Sequence, residues 1–181
     1  NAVTVAEHVI TMFLNLCKFS RDADKIVRNG QFNIQNTKDS LELFNKNIFI
    51  IGFGRIGKEL SKRCISFNTK VYVYDPFVEE EIIKKHKCCA ISFEEGIEIA
   101  DFISLHLPLN KKTKYIISKK EFLKMKKTCI IVNTARGGII NEQDLFSALK
   151  NNEIHSAGLD VYEEEPPKKD NPLFTLNNIL L

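Results

Sequence analysis

The sequence contains no long hydrophobic run and no tract of charge of a single sign. Its apolar stretches stay well short of the roughly 20 residues that a membrane-spanning helix needs, and the first residues lack the basic-then-apolar order of a secretory leader. The net charge of +3 arises from lysine pairs, such as Lys111-Lys112, interspersed with acidic runs, such as 163–165. This mixture indicates solvated faces. We therefore expect a cytoplasmic protein with no membrane or nucleic-acid partner.

Paired cysteine spacing is missing as well. The five cysteines form no CxxC pair and no Cys/His set with metal-ligand spacing. Their odd number argues against a closed disulfide framework, so we expect free thiols and no metal centre. The neighbours Cys88 and Cys89 are compatible with a redox switch or with the start of a half-buried strand.

The remaining composition is that of an ordinary folded domain. A chain of 181 residues, 44% hydrophobic and 27% charged, is long enough for one α/β domain. Between Thr4 and Val27 the apolar residues follow a helical stripe, with Thr4 as a plausible N-cap and Glu7 three residues later. The pattern predicts one long helix whose stripe faces either the core or a subunit interface. A polar connection is predicted for residues 30–43.

Beyond that connection, short apolar runs alternate with helical patterns. The predicted strands are 48–51, 70–74, 91–92, 102–105, 129–133, 156–159 and 178–181, and the predicted helices are 58–67, 93–100, 119–125 and 142–150. Asn141 is a good N-cap for the last of these helices. The alternation, without internal repeats, predicts an α/β fold with a doubly wound parallel sheet. In such sheets ligands bind outside the carboxyl ends of the strands.

The most informative local pattern is a glycine turn, Gly52-Phe53-Gly54-Arg55-Ile56-Gly57, which directly follows the run 48–51. Its first glycine permits a tight turn, its second lets a pyrophosphate approach the backbone, and its third lets the next helix pack on the strand. The helix N-terminus then offers free N–H groups and a partial positive charge. The same pattern also occurs where a strand-to-helix corner needs glycine for packing alone. The assignment to a cofactor site therefore depends on the strand before the turn and the helix after it.

An acidic residue closes the next strand. Asp75 lies eighteen residues after Gly57, near the spacing at which a carboxylate accepts hydrogen bonds from the adenosine ribose. A carboxylate at that position repels a 2′-phosphate, which favours NAD over NADP. The alternative is a solvated aspartate that caps the turn before Pro76.

Three further charged residues follow strand ends. Arg136, in the small-residue segment 133–138, is suited to bidentate binding of a substrate carboxylate, or to bonding the last carbonyls of a neighbouring element. Asp160 ends the run 156–159. Glu165 stands in an acidic turn, where spacing alone does not distinguish it from Glu163 and Glu164.

These ordered motifs resemble the nucleotide-binding domain of the D-isomer-specific 2-hydroxyacid dehydrogenases, over nearly the whole chain. The matching segments are 1–7, Gly52 to Gly57, His106-Leu107-Pro108-Leu109, Asn133 to Gly137, Gly158-Leu159-Asp160-Val161 and Glu165-Pro166. The resemblance implies an NAD-binding domain over 1–181, with a domain-entry or interface helix in 1–30 and a Rossmann core in 46–181. It also implies that the chain is cut from a longer protein with a separate substrate domain, expected to form a homodimer or higher homo-oligomer.

The resemblance further implies roles for individual residues. On the nucleotide side, the pyrophosphate would contact Arg55 and Ile56 and the glycines of the turn, which are Gly52, Gly54 and Gly57. The adenosine ribose would contact Asp75. Leu107 and Pro108 would form part of the crevice wall. The nicotinamide end would be lined by Thr134, Ala135 and Arg136, with Asp160 near the carboxamide. Arg136 would also hold the substrate carboxylate and polarise the reacting carbonyl. Glu165 would support a catalytic histidine, expected beyond Leu181 and not equivalent to His106.

Two residues depart from the family pattern. Asn45 stands where relatives often have glycine, which is tolerable because asparagine accepts left-handed backbone angles. Leu107 replaces a small or polar residue, which could remove one hydrogen bond to the nucleotide.

The substrate implied is a small 2-hydroxy acid, with 3-phosphoglycerate, hydroxypyruvate, glyoxylate and D-lactate as candidates. Corepressors of the C-terminal-binding-protein type, which use this fold to sense NAD(H), are an alternative of another class.

Overall fold

The structure, a computed structural model, describes residues 1–32 and 40–181, so residues 33–39 of the predicted polar connection lie outside the described residues. The strands are, in chain order, β1 (Asn47–Ile51), β2 (Lys70–Tyr74), β3 (Cys89–Ala90), β4 (Phe102–Leu105), β5 (Ile130–Asn133), β6 (Ser156–Leu159) and β7 (Ile179–Leu180). They form one parallel sheet in the order β3-β2-β1-β4-β5-β6-β7. The predicted doubly wound sheet is confirmed. Its strand order reverses between β1 and β4, which is the topological switch point.

Helices cover both faces of this sheet. They are α1 (Ala2–Lys18), α2 (Ser20–Arg28), α3 (Arg55–Ser66), α4 (Glu80–Lys85), α5 (Phe93–Ile99), α6 (Lys119–Phe122) and α7 (Glu142–Lys150), followed by a 3₁₀ helix, Pro172–Thr175. Alternate residues of β1 enter opposite cores: Ile48 and Ile50 pack with α1 and α3, whereas Phe49 and Ile51 pack with α5 and α7. Burial on both faces explains why β1 is an uninterrupted apolar run.

The predicted single N-terminal helix is wrong in one respect, because it is two helices. The chain breaks at Phe19, whose backbone is left-handed (φ 52°), and α1 begins at Ala2 with Asn1 rather than Thr4 as N-cap. The break lies where the apolar stripe ends: Val9, Phe13 and Cys17 of α1 are fully buried, whereas α2 buries no residue. The stripe thus faces the core of this chain.

Among the described helices, none is by itself long and apolar enough to cross a membrane, although α1 and α2 together, bent by 56°, meet that length and composition. The third strand is Cys89–Ala90, so the strand predicted at 91–92 is misplaced by two residues, whereas the cysteine pair does stand at a strand start. Asn45 has the left-handed backbone (φ 58°) predicted for it. Helix α4 (Glu80–Lys85) lies in a stretch for which the sequence predicted no helix.

All five cysteines are free, and Cys89 is the exposed one. Burial raises the pKa of the Cys17 thiol to about 11 and that of Cys64 to about 12. Burial also raises the pKa of Cys88. These thiols are therefore protonated and poorly nucleophilic near neutral pH.

Candidate active site

A row of residues lies directly beyond the carboxyl ends of five neighbouring strands. The sheet register aligns Tyr74, Ile51, Leu105, Asn133 and Leu159 across β2, β1, β4, β5 and β6. The next residue of each strand therefore falls in a common row, which consists of Asp75, Gly52, His106, Thr134 and Asp160. The strand ends at which the sequence placed candidate site residues do lie along one edge of the sheet. The topological switch point between β1 and β4 is part of that edge.

The glycine turn occupies the switch point itself. Gly52 has φ 97°, and a Cβ on it would lie 2.5 Å from the carbonyl oxygen of His106 at the end of β4. A Cβ on Gly57 would lie 2.3 Å from the carbonyl oxygen of Gly52, so this glycine lets α3 pack against the turn. A Cβ on Gly54 would meet no atom within 4 Å. Gly54 is thus the place where a ligand phosphate can approach the backbone.

Helix α3 begins directly after Gly54 and has no side chain capping its first N–H groups. Arg55 is exposed and Ile56 is half-buried in its first turn. The free N–H groups and the partial positive charge at this end favour an anion beside Gly54. The arrangement suits the predicted pyrophosphate contacts of this turn.

The Asp75 carboxylate holds the glycine turn. The amide of Phe53 donates to one of its oxygens over 2.7 Å, and the amide of Phe77 donates to the other over 2.9 Å. The bond from Phe77 realises the predicted turn cap around Pro76, and the bond from Phe53 in addition ties Asp75 to the glycine turn. Because each carboxylate oxygen can accept a further hydrogen bond, the predicted ribose contact stays compatible with this geometry.

We call residues 133–137 the arginine loop, and its conformation depends on Asn133, to which the sequence assigned no role. Asn133 is 2% exposed, accepts a bond from the amide of Ala135 (3.0 Å) and donates one to the carbonyl of Arg136 (2.9 Å). A polar residue ending a wholly apolar strand was the available signal. Arg136 itself is exposed, and one guanidinium N–H donates to the carbonyl of Ala135 (2.6 Å). That carbonyl belongs to its own loop, and the other guanidinium donors remain available for a carboxylate.

The residues after β4 form one wall of the crevice. His106 bonds Ser104 through Nε2 (2.9 Å), and burial lowers its pKa to about 4. Leu107 is half-buried against Gly52, and Pro108 is exposed beyond it. An imidazole kept neutral in this way does not suit an acid/base role, and it is the backbone carbonyl of His106 that lies against Gly52. This agrees with the expectation that the catalytic histidine lies elsewhere.

The structure distinguishes the three glutamates that spacing could not. Glu164 pairs with Lys168 in solvent (2.9 Å). Glu163 accepts bonds from the Tyr115 hydroxyl (2.8 Å) and from the amide of Glu142 (2.7 Å). The exposed carboxylate of Glu165 accepts a bond from the amide of Tyr162 (3.1 Å) and is therefore held by its own segment.

The arginine loop and this acidic segment touch through their backbones. Gly137 lies against the carbonyl group of Tyr162, at a position where no Cβ could fit. Asp160, at the head of the acidic segment, is bonded through its amide to the carbonyl of Asn133 (3.0 Å). Its carboxylate lies 3.6 Å from Nε2 of His8 on α1. The predicted carboxylate-binding arginine and the predicted histidine partner thus belong to adjoining segments.

Two buried polar atoms in the strand-end row have no protein hydrogen-bond partner among the described residues: Nδ1 of His106 and Oγ1 of Thr134. Buried polar atoms are normally satisfied, so both suit a polar ligand lying along the row. Together with the open approach at Gly54 they fit a dinucleotide. Within the described part of the chain, no group of three His, Cys, Asp or Glu side chains could hold a metal ion.

A glycine turn at the switch point of a parallel sheet, with an acidic residue ending the adjacent strand, defines a dinucleotide-binding domain. Comparison with known families is consistent with this class. The family model described as D-isomer specific 2-hydroxyacid dehydrogenase, NAD binding domain, matches residues 10–181. The chain belongs to this family, and its cofactor is NAD.

Individual relatives agree with the family. D-3-phosphoglycerate dehydrogenase of Methanocaldococcus jannaschii is 39% identical over 181 residues, which cover 99% of this chain and 34% of that protein. Glyoxylate reductase of Korarchaeum cryptofilum is 32% identical, with 98% of this chain and 54% of the relative covered. The NAD complex of an NAD-dependent formate dehydrogenase from Staphylococcus aureus superimposes with a TM-score of 0.91 at 33% identity, covering 99% of this chain and 54% of that one. The chain therefore spans about a third to a half of these relatives.

Proposed function

We propose that this chain is the NAD-binding domain of a D-3-phosphoglycerate dehydrogenase, which oxidises 3-phosphoglycerate to 3-phosphohydroxypyruvate at the entry to L-serine biosynthesis. The support is the 39% identity to the Methanocaldococcus jannaschii enzyme across this chain. The acidic turn 162–167 followed by 171–174 also resembles the phosphoglycerate branch. Substrate choice depends on segments outside this domain.

The observation that carries the proposal is the direct contact of the arginine loop with the segment of Glu165, through Gly137 and Tyr162. Oxidation of a 2-hydroxy acid removes a hydride from C2 and a proton from the hydroxyl group. A cation is needed for the substrate carboxylate, and a carboxylate is needed beside the base that takes the proton. The adjoining loops that follow β5 and β6 supply both groups.

Each residue then has a defined task. Arg136 binds the substrate carboxylate with its free guanidinium donors and polarises the oxygen on C2. Glu165 accepts a hydrogen bond from the acid/base histidine and raises the basicity of that histidine. Thr134 and Ala135 line the nicotinamide end of the cofactor site. The bound NAD supplies the hydride acceptor.

A hydroxypyruvate or glyoxylate reductase is the second candidate. The 32% identity to the glyoxylate reductase of Korarchaeum cryptofilum favours it, and the same residues would serve the reverse reaction. A corepressor-type NAD(H) sensor would keep the same arginine and glutamate but would show no turnover.

The test is oxidation of 3-phosphoglycerate by the complete polypeptide with NAD, compared with D-lactate and D-glycerate at equal concentrations. The proposal expects the highest kcat/KM with 3-phosphoglycerate. A preference for an unphosphorylated acid would overturn the substrate assignment. The lack of turnover with all three acids, together with tight NAD binding, would favour the sensor.

We further propose a cytoplasmic protein that acts as a homodimer or higher homo-oligomer and has no nucleic-acid or membrane partner. The mixed surface charge supports this proposal, whereas the apolar stripe of α1 does not, because it packs in the core of this chain. Sedimentation of the complete polypeptide tests the oligomeric state, and a monomer would contradict it.

A further inference from the structure

Three separate segments meet at the side chain of Glu163. The Tyr115 hydroxyl, from the loop after β4, donates to its carboxylate over 2.8 Å. The amide of Glu142, the first residue of α7, donates to the other oxygen over 2.7 Å. In return, the amide of Glu163 donates to the carboxylate of Glu142 over 2.5 Å. Glu142 and Glu163 are therefore joined by two reciprocal hydrogen bonds. We call Tyr115, Glu142 and Glu163 the glutamate clamp.

The clamp is more than a helix cap. Helix α7 already has an N-cap, because the Asn141 side chain accepts a bond from the amide of Asp144 over 3.0 Å. Two carboxylates facing each other would repel, yet each accepts an N–H from the partner's backbone, which offsets that cost. Their charge also raises the pKa of Tyr115, mainly through its bond to Glu163, so this hydroxyl stays a donor.

Other contacts tie the clamp to the proposed catalytic groups. Glu163 is two residues before Glu165, whose carboxylate accepts the amide of Tyr162 (3.1 Å). On the other side, Tyr115 donates its amide to the carbonyl of Gly138 (2.8 Å), just beyond the arginine loop. Tyr115 has a left-handed backbone (φ 53°), a conformation that bulky residues rarely keep without such restraint. The clamp thus joins the segment of Glu165 to the segment that follows Arg136.

We infer that Glu163 is a positioning residue, which acts with Glu142 and Tyr115 to hold the Glu165 carboxylate in register with Arg136 for the oxidation of a 2-hydroxy acid. The inference rests on the proposed function and adds residues to which neither the family resemblance nor the glycine-turn chemistry assigns a role. Glu163 touches no substrate in this scheme. Its effect reaches the reaction only through the placement of Glu165.

The experiment compares Glu163→Ala and Glu163→Gln with Glu164→Ala in the complete polypeptide. Alanine removes both acceptor oxygens, whereas glutamine keeps one acceptor for the amide of Glu142. Glu164 is the matched control, because it is the next residue and forms a solvent-exposed ion pair with Lys168. The measurements are kcat, KM, the Kd for NAD, the pH profile of kcat/KM and amide hydrogen exchange over residues 162–165.

For Glu163→Ala we expect a kcat about tenfold lower, with the Kd for NAD changed by less than about twofold. The acid limb of the kcat/KM profile should move to lower pH, because a displaced carboxylate no longer raises the pKa of the base. Exchange at 162–165 should accelerate. Glu163→Gln should recover most of the kcat and the slow exchange, and Glu164→Ala should match the wild type.

Several outcomes would overturn the inference: a wild-type kcat and acid limb for Glu163→Ala, equal impairment of the glutamine variant, or a parallel loss of NAD affinity. If Glu163→Ala does not fold, Tyr115→Phe removes one clamp bond alone, and an unchanged kcat and exchange rate there would also overturn it. Wild-type protein without turnover on any 2-hydroxy acid would instead refute the proposed function. The exchange data would still report on the clamp.

Discussion

Gly137 and Tyr162 approach each other so closely that a Cβ on Gly137 would lie 1.7 Å from the carbonyl oxygen of Tyr162. The two residues belong to the loops after β5 and β6. Because the contact is between backbones, a larger residue cannot be accommodated by a side-chain rotation. The relationship between the arginine loop and the acidic segment therefore depends on a glycine here.

Replacing Gly137 with alanine should separate these two loops. We expect the free energy of unfolding to fall by about 1–3 kcal/mol, the usual cost of overpacking, and kcat to fall with it. Urea unfolding and steady-state kinetics measure the two effects. Gly54→Ala is a suitable control for stability, because its Cβ would meet no protein atom within 4 Å. Equal stability of the two variants would contradict the prediction.

Alanine variants at Gly54 and Gly57 separate the phosphate approach at the glycine turn from the packing of α3 against it. Gly54→Ala should leave stability within about 0.5 kcal/mol of wild type but weaken NAD binding by about tenfold, because its methyl group enters the phosphate approach. Gly57→Ala should destabilise the fold, because its Cβ would lie 2.3 Å from the Gly52 carbonyl. Calorimetric titration with NAD and thermal unfolding distinguish the effects. Tight NAD binding by Gly54→Ala would count against the phosphate assignment.

Arg136→Lys should be severely impaired in the complete enzyme. A lysine cannot make the bidentate bond to a carboxylate, and a poorly paired substrate charge costs roughly 2–5 kcal/mol in transition-state stabilisation where the complete enzyme excludes water from it. The loss should appear in kcat/KM, while the Kd for NAD changes little. A near wild-type kcat/KM for this variant would remove Arg136 from its predicted role.

His106 should make stability depend on pH. Its pKa in the folded protein is lowered by burial to about 4, below the value of 6.5 for a solvated imidazole. The unfolded chain therefore binds an extra proton between these values, and stability falls as the pH is lowered from about 6.5 to about 4. The shift corresponds to a loss on the order of 3 kcal/mol.

The check is urea unfolding at several pH values between 4 and 7 for the wild type and for His106→Gln. The glutamine variant should show a shallower decline, because it has no group to protonate there. If both proteins showed the same slope, the neutral His106 would not govern it.

Much of the fold was predictable from local pattern. The strand-helix alternation, the cap at Asn141 and the left-handed Asn45 all agree with the structure. Prediction failed where distant contacts decided the outcome. The N-terminal helix breaks at Phe19 because the surface that α1 covers ends there, and no local breaker residue marks the position.

The candidate site, like the fold, was predictable from the sequence only in part. A tight turn that a phosphate approaches closely requires glycine at particular positions, so the roles of Gly52, Gly54 and Gly57 were predictable from their spacing. The acidic residue at the end of the second strand, Asp75, was predictable in the same way. The family resemblance pointed to Arg136 and Glu165. The structuring role of Asn133 was not readable, because its partners are backbone groups whose positions depend on the loop conformation.

By itself the sequence determined that a dinucleotide is bound at the carboxyl end of a parallel sheet. The need for glycine at fixed turn positions and the periodicity of buried residues both appear directly in the spacing of residue types. Only the tertiary structure decided how Glu163, Glu164 and Glu165 differ, since three adjacent carboxylates are chemically alike until a partner is placed beside each one. The partners of Glu163 are Tyr115 and Glu142, 48 and 21 residues away. Contacts at such separations arise from the packing of whole strands and helices, which no local pattern encodes.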